Sequence, residues 1–212
     1  TGAARVLGAH LESNFLNPED RGAQPLECLR LPPPSPAVPT DSGEADFTGA
    51  DIAAEIERAA QDVAIVTLAP ELDGALPYIR RLVARGHRVS LGHSAASYDV
   101  GLAAIDAGAR GGTHLFNRMP PLGHREPGLA GAVLRREEVA AEIVCDGFHV
   151  HPAMLRVAVA AKGTDRVMAV TDGTAGAGRP IGSRASLGGR PITVGERAAL
   201  LDDQTLAGST LT

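Results

Sequence analysis

Aromatic residues are scarce in this 212-residue chain: they make up 3%, with two Tyr, four Phe and no Trp. A stacking platform for single-stranded nucleic acid needs such rings, so that class is disfavoured. Lys162 is the only lysine, and the arginines that supply nearly all the positive charge are scattered along the sequence. With a net charge of −5, no nucleic-acid partner is expected. No apolar run approaches the roughly 20 residues that span a bilayer, so no membrane association is expected either. Only two cysteines are present, Cys28 and Cys145, far apart in sequence. That usage fits a reducing, cytoplasmic compartment better than a disulfide scaffold. The stretch from Thr1 has neither the basic nor the apolar region of a secretory signal. Thr1 is not Met and an apolar strand pattern follows almost at once, so the chain reads as part of a longer protein.

Hydrophobic residues reach 44% and charged ones 21%, which excludes a disordered chain. The length suffices for one large domain with a real core. Short runs rich in Val, Ile and Leu occur at 4–11, 63–69, 88–91, 111–116, 140–145 and 166–170. Helical patterns lie between them at 50–60, 72–85, 98–107 and 152–161, and Gly86, Gly108 and Gly163 follow the last three as stop signals. Alternating strand and helix predicts parallel strands joined by right-handed crossovers. Six such strands fall short of the eight in a closed (β/α)₈ TIM barrel, so the fold class is α/β, a partial barrel over 1–175. Residues 31–39 (LPPPSPAVP) cannot form helix or central strand and read as an exposed loop. Residues 176–205 are rich in Gly and Arg, with alternating runs at 185–187, 191–194 and 198–201. They predict an antiparallel β excursion, and 206–212 are expected to return to the barrel.

The chemistry gathers at strand ends. Glu12, His93, His114, Asp146 with His149, and Asp172 each follow one of the runs. In a barrel those carboxyl ends share one face, where active sites sit. Glu, His and His make a normal set of protein ligands for a catalytic cation, which acidifies water and polarises a carbonyl. Any one of these histidines alone is more often a packed or solvent-facing residue than a ligand; their coincidence points to a pocket. Asp172 is the candidate general base and acid, with helix capping as the alternative. In His149-Val150-His151, His149 reads as a substrate contact and His151 as a helix start before Pro152. Arg125, in the Pro-rich loop after His114, suits bidentate phosphate or carboxylate recognition, with a solvated surface arginine as the alternative.

The segments GAHLESNFLNPEDRGAQ, VTLAPE, SLGHSAASYD, GGTHLFNRMPPLGHREPGLAG, CDGFHVHP, AVTDG and LAGSTLT, in that order, resemble the N-acetylglucosamine-6-phosphate deacetylase family of the amidohydrolase superfamily. The resemblance runs through the whole chain. It implies a metal-dependent barrel with a small β-sandwich domain, a homodimer, and hydrolysis of the acetamide of N-acetylglucosamine 6-phosphate. It implies Glu12, His93 and His114 as ligands of one or two divalent metals, zinc first, with iron, manganese and cobalt open. Asp172 would be the catalytic acid and base. Ala23, Asn117, Arg118 through its backbone, His149, and Leu206, Ala207 and Gly208 would contact the substrate. Arg125 would bind phosphate in the neighbouring subunit's site. Three departures stand out: Ser13-Asn14 where the family has Gly-Pro, Gln24 in place of a histidine, and Arg118 in place of a small residue. Two rival readings follow, an amidohydrolase acting on another amide and a non-catalytic sugar-phosphate binder.

Overall fold

The computed structural model describes residues 7–33 and 47–212. The start of the first expected strand and the expected loop from Pro34 onward lie outside those residues. In chain order the first part runs β1 (Ala9–Glu12), α1 (Gly49–Arg58), β2 (Val63–Leu68), α2 (Ala75–Ala84), β3 (Arg88–Leu91), α3 (Tyr98–Asp106), β4 (Gly111–Gly112), α4 (Gly128–Arg135), β5 (Ala140–Val144), α5 (Pro152–Lys162) and β6 (Val167–Val170). The six strands form one sheet in sequence order, every neighbouring pair parallel. Unbroken sequential order is the topology of a barrel wall, since a doubly wound sheet reverses direction partway.

The sheet is curled, and side chains prove it. In a flat sheet β1 and β5, four positions apart, would lie roughly 19 Å from each other. Yet His10 Nδ1 on β1 stands 3.3 Å from Glu142 Oε1 on β5. The concave face carries a polar belt: His10 Nε2 and Thr67 Oγ1 are 2.7 Å apart, Thr67 and Thr113 hydroxyls 2.6 Å, and Thr113 donates to Ser90 Oγ at 2.7 Å. The convex face is apolar and packs on the helices. Phe15 and Tyr78 meet edge to face at 5.1 Å among Ile79, Leu82, Ile105 and Leu129. At the open edge, Met168 on β6 is exposed. This is a partial barrel, as expected.

Local signals set the element ends. Thr48 and Asp51 close a capping box at the start of α1. His151 caps α5, its ring accepting from the Ala153 amide at 3.1 Å, and Pro152 occupies the first turn. α2 starts at Ala75 rather than at residue 72, because Gly74 is left-handed and breaks the pattern. β4 is far shorter than the expected 111–116, since the chain turns at Thr113 toward a left-handed His114. α4 is not among the expected helices: its eight residues include Gly128 and Gly131, which weaken a helical pattern. Glu126 Oε1 accepts from the Tyr98 and Gly128 amides, at 2.7 and 3.0 Å, and so starts both α3 and α4. Those helices approach closely at Gly101, where a Cβ would fall 2.8 Å from that of Ala132.

Thr48→Ala is expected to lower the Tm of the full-length protein by roughly 2–4 °C. Part of that loss has a pH signature. Hydrogen bonds from the Thr48 backbone and hydroxyl hold Asp51 below the ordinary aspartate value. The stability they contribute is therefore present above that value and is lost as pH falls through the lower, folded one. In melting curves from pH 3 to 7 the gap between the two proteins should narrow toward the acid end without closing, because the Asp51 amide's bond to the Thr48 hydroxyl does not titrate.

Residues after β6 form a second sheet, antiparallel, from β7 (Arg184–Leu187), β8 (Arg190–Val194), β9 (Ala198–Leu201) and β10 (Leu206–Ser209). Its small core is Ile192, Ala199, Leu201 and Ala207. The expected return to the barrel at 206 starts inside this sheet: β10 is its fourth strand, and Ser209 then bridges Gly173, just after β6. Among the described residues no helix is long and apolar enough to cross a membrane.

Candidate active site

Strand ends deliver the ionisable groups to one place. Glu12 is the last residue of β1, and His93 and His114 follow β3 and β4. His93 Nε2 lies 3.0 Å from Glu12 Oε1, His114 Nε2 3.5 Å from Glu12 Oε2, and the two Nε2 atoms are 3.0 Å apart. Both imidazoles are buried. His93 donates Nδ1–H to the Asp20 carbonyl at 2.7 Å, which leaves Nε2 bare and aimed at the carboxylate. Two buried imidazole nitrogens facing each other and a carboxylate need something positive between them. The donor set, two buried imidazoles and a half-buried carboxylate that converge, fits a divalent cation.

Electrostatics agree with that. Burial would raise the Glu12 pKa, yet hydrogen bonds and charge from His114 and His93 outweigh it and hold the carboxyl far below its usual range. His114 moves oppositely: burial pushes it down, and Glu12 with Asp172 more than reverses this. Asp172, after β6, is raised, first by desolvation and then by the Glu12 charge, with His114, His149 and His93 offsetting part of the shift. A carboxyl whose pKa is raised, at the edge of a cation site, is equipped to take up and hand on a proton. No helix follows Asp172, so the capping alternative fails.

A cavity of about 540 Å³ opens above these groups. Glu12, Ala23, His93, His114, Asn117, Arg118, His149, Asp172, Leu206, Ala207 and Gly208 all line it. Arg125 does not; it stands exposed on the turn before α4. β10 forms one wall and comes very close: a Cβ on Gly208 would sit 2.6 Å from the Asp172 carbonyl oxygen. Among the described residues six non-glycine positions have a left-handed backbone, and His93, His114, Phe116, Arg118 and Asp172, five of them, line this cavity.

Comparison with known proteins follows the same lines. No family model matches the chain. It is 38% identical to the N-acetylglucosamine-6-phosphate deacetylase of Bacillus subtilis (strain 168) over 208 residues, 98% of this chain and 48% of that protein. It is 36% identical to the N-acetylgalactosamine-6-phosphate deacetylase of Escherichia coli O157:H7, over 98% of this chain and 51% of that one. Its fold superposes on a mutant N-acetyl-D-glucosamine-6-phosphate deacetylase from Mycobacterium smegmatis, solved in complex with N-acetyl-D-glucosamine-6-phosphate, with a TM-score of 0.84 and 37% identity. That match covers 97% of this chain and 50% of the other. By sequence and by fold, the chain is homologous to the N-acetylglucosamine-6-phosphate deacetylases. It spans about half the length of the relatives it matches.

The departures from the deacetylase pattern have local partners. Ser13 donates its hydroxyl to the Thr67 carbonyl at 2.6 Å and accepts from the Phe15 amide at 3.1 Å. Asn14 donates to the Cys28 carbonyl at 2.7 Å. The turn after Glu12 is thus pinned on both sides. Gln24 donates to Glu12 Oε1 at 2.5 Å, so its amide touches the candidate ligand itself. Arg118 runs beside Gly22, where a Cβ would meet its Nε at 3.0 Å.

Two further residues position the site without having been singled out. Asp20 supplies the carbonyl that orients His93. Glu71 accepts from Asn17, Ser94 Oγ and the Ala95 amide at 2.8, 2.7 and 2.6 Å, and so joins the loops that follow β1, β2 and β3. Glu71 follows β2, the one barrel strand to which no ionisable residue had been assigned. The strand-end rule, applied once more, would have found it.

Proposed function

We propose that the full-length protein carrying this chain hydrolyses the acetamide of N-acetylglucosamine 6-phosphate to glucosamine 6-phosphate and acetate. The observation that carries this reading is the meeting of Glu12, His93 and His114 beside Asp172 and His149 in one cavity of a deacetylase-like fold. Glu12, His93 and His114 would hold a divalent metal, with zinc favoured by the ligand set. When bound, the metal supplies Lewis acidity, polarising the acetyl carbonyl and lowering the pKa of water. Asp172 takes a proton from the attacking water and returns it to the amide nitrogen as the C–N bond breaks. The neutral amine and acetic acid result, and the acid's proton, the second one from water, passes to solvent to leave acetate. His149, Asn117, Ala23, the Arg118 backbone and the strand Leu206–Gly208 would hold the sugar.

The protein would act in amino-sugar breakdown in the cytoplasm, as a homodimer in which Arg125 reaches the phosphate in the neighbouring subunit's site. Supporting that geometry, Arg125 is exposed and lies outside its own cavity. The test is acetate release by the metal-loaded full-length protein. Turnover of the sugar phosphate is expected, and Arg125→Ala should lower kcat/KM for it by roughly 10- to 100-fold while leaving the unphosphorylated sugar nearly unaffected. Equal losses on both substrates would remove Arg125 from phosphate binding. Binding of the sugar phosphate by calorimetry without acetate would instead support a non-catalytic binder.

A further inference from the structure

The carboxylate of Asp146 is the group that the proposed chemistry leaves unused. It lies just after β5 and has three partners. Oδ1 accepts from the backbone amides of Phe148 and His149, both at 2.8 Å, and Oδ2 stands 2.6 Å from His149 Nδ1. Both side chains are enclosed, 6% and 5% exposed for Asp146 and His149. The turn around Gly147, itself left-handed, brings the two within three residues of each other. His149 lines the cavity, so its other ring nitrogen, Nε2, is the one left for a ligand.

We infer that Asp146 is a positioning residue: it fixes neutral His149 as the Nδ1–H tautomer, so that Nε2 presents a lone pair to a hydroxyl or amide proton of the substrate. The inference rests on the sugar-phosphate reading of the cavity for its ligand, though not for the tautomer itself. An ionised carboxylate can only accept, so the proton between Oδ2 and Nδ1 belongs to the ring. Asp146 is kept ionised because hydrogen bonds from the His149 ring and from the Phe148 and His149 amides overcome the effect of burial. With Nδ1 occupied as a donor, Nε2 of the neutral ring has no proton. A ligand oxygen without a hydrogen would be rejected there, which selects for a donor on the substrate.

Asp146→Asn tests this with little change of shape. The two backbone amides at Oδ1 each need an acceptor, which forces the asparagine carbonyl to stay on their side. Its NH₂ must then face Nδ1, which has to accept, and the ring proton moves to Nε2. The asparagine should reverse the tautomer with the fold intact. The readout is nitrogen-15 NMR of histidine-labelled, zinc-loaded full-length protein at pH 8, with His149 assigned from the signal lost in His149→Gln. Wild type is expected to show protonated Nδ1 and bare Nε2, and Asp146→Asn the opposite, with Tm unchanged. In parallel, kcat/KM for acetate release should drop roughly 10- to 100-fold. A wild-type spectrum with Nε2 protonated, or an unchanged tautomer in the variant, overturns the inference. Absence of acetate release by the wild type would defeat the proposed function while leaving the tautomer result to stand or fall alone.

Discussion

Asp172→Asn in the full-length protein is expected to cut kcat for acetate release by roughly 10²- to 10⁴-fold, the range that general acid and base catalysis contributes. Asparagine keeps the volume and tolerates the left-handed backbone found at this position, but it can neither take a proton from water nor return one to nitrogen. The loss should fall on kcat more than on KM, because the carboxylate works on the transferred proton rather than on sugar binding. Metal content should not change, since Asp172 lies outside the Glu12, His93 and His114 cluster. Stability gives an independent sign. The fold raises the Asp172 pKa, chiefly by desolvation and by the nearby Glu12 charge. In the metal-stripped protein its ionised form is therefore a burden that grows as pH rises from the unfolded value through the higher, folded one. The asparagine variant should melt at the same temperature or higher at pH 7. A variant with undiminished turnover would remove Asp172 from the mechanism, and one that melts much lower would show it to be a structural residue.

Glu12→Gln is expected to have the second large effect, on metal retention. The amide has the same shape but lacks the charge that balances a dication, and removing a direct ligand should cost at least the roughly 10- to 100-fold in affinity seen for residues that merely support one. Mass spectrometric metal analysis after dialysis against a weak chelator should show near-stoichiometric metal in wild type and little in the variant. His93 and His114 would then face an uncharged neighbour, and Gln24, which donates to Glu12 Oε1 at 2.5 Å, would meet an amide oxygen in place of a carboxylate. Full metal occupancy in Glu12→Gln would place the cation elsewhere and sink the ligand assignment.

How legible this was in the sequence depended on the kind of signal. β2, β3 and β5 carry apolar runs because these strands are largely buried, and such runs stand out; β6 carries a similar run although it lies exposed at the open edge. The polar residues that close them were readable for the same reason: an ionisable group directly after an apolar strand has few places to go but the rim. α4 was hidden because Gly128 and Gly131 lower its helix propensity and read as loop. β4 was overread, because Thr113 and Leu115 look like strand continuation while His114 between them has turned left-handed. Glu71 and Asp20 act through loop contacts formed between elements distant in sequence, and one of those contacts is a main-chain carbonyl that no side-chain pattern reports. Arg125 marks the limit of rim logic: its loop follows a strand end, yet the side chain lies outside the cavity.

The clustering of left-handed backbone at His93, His114, Phe116, Arg118 and Asp172 bears on any attempt to make the protein more robust. A side chain held there costs about 1–3 kcal/mol per residue, against a total fold stability of roughly 5–15 kcal/mol. Much of the reserve that an engineer would want to recover is thus locked into residues that line the cavity. Glycine at these positions would relax the chain and raise its melting point at the expense of what the pocket does. Heat tolerance in this protein is better sought at the convex helices and the outer strands, where no function competes for the backbone.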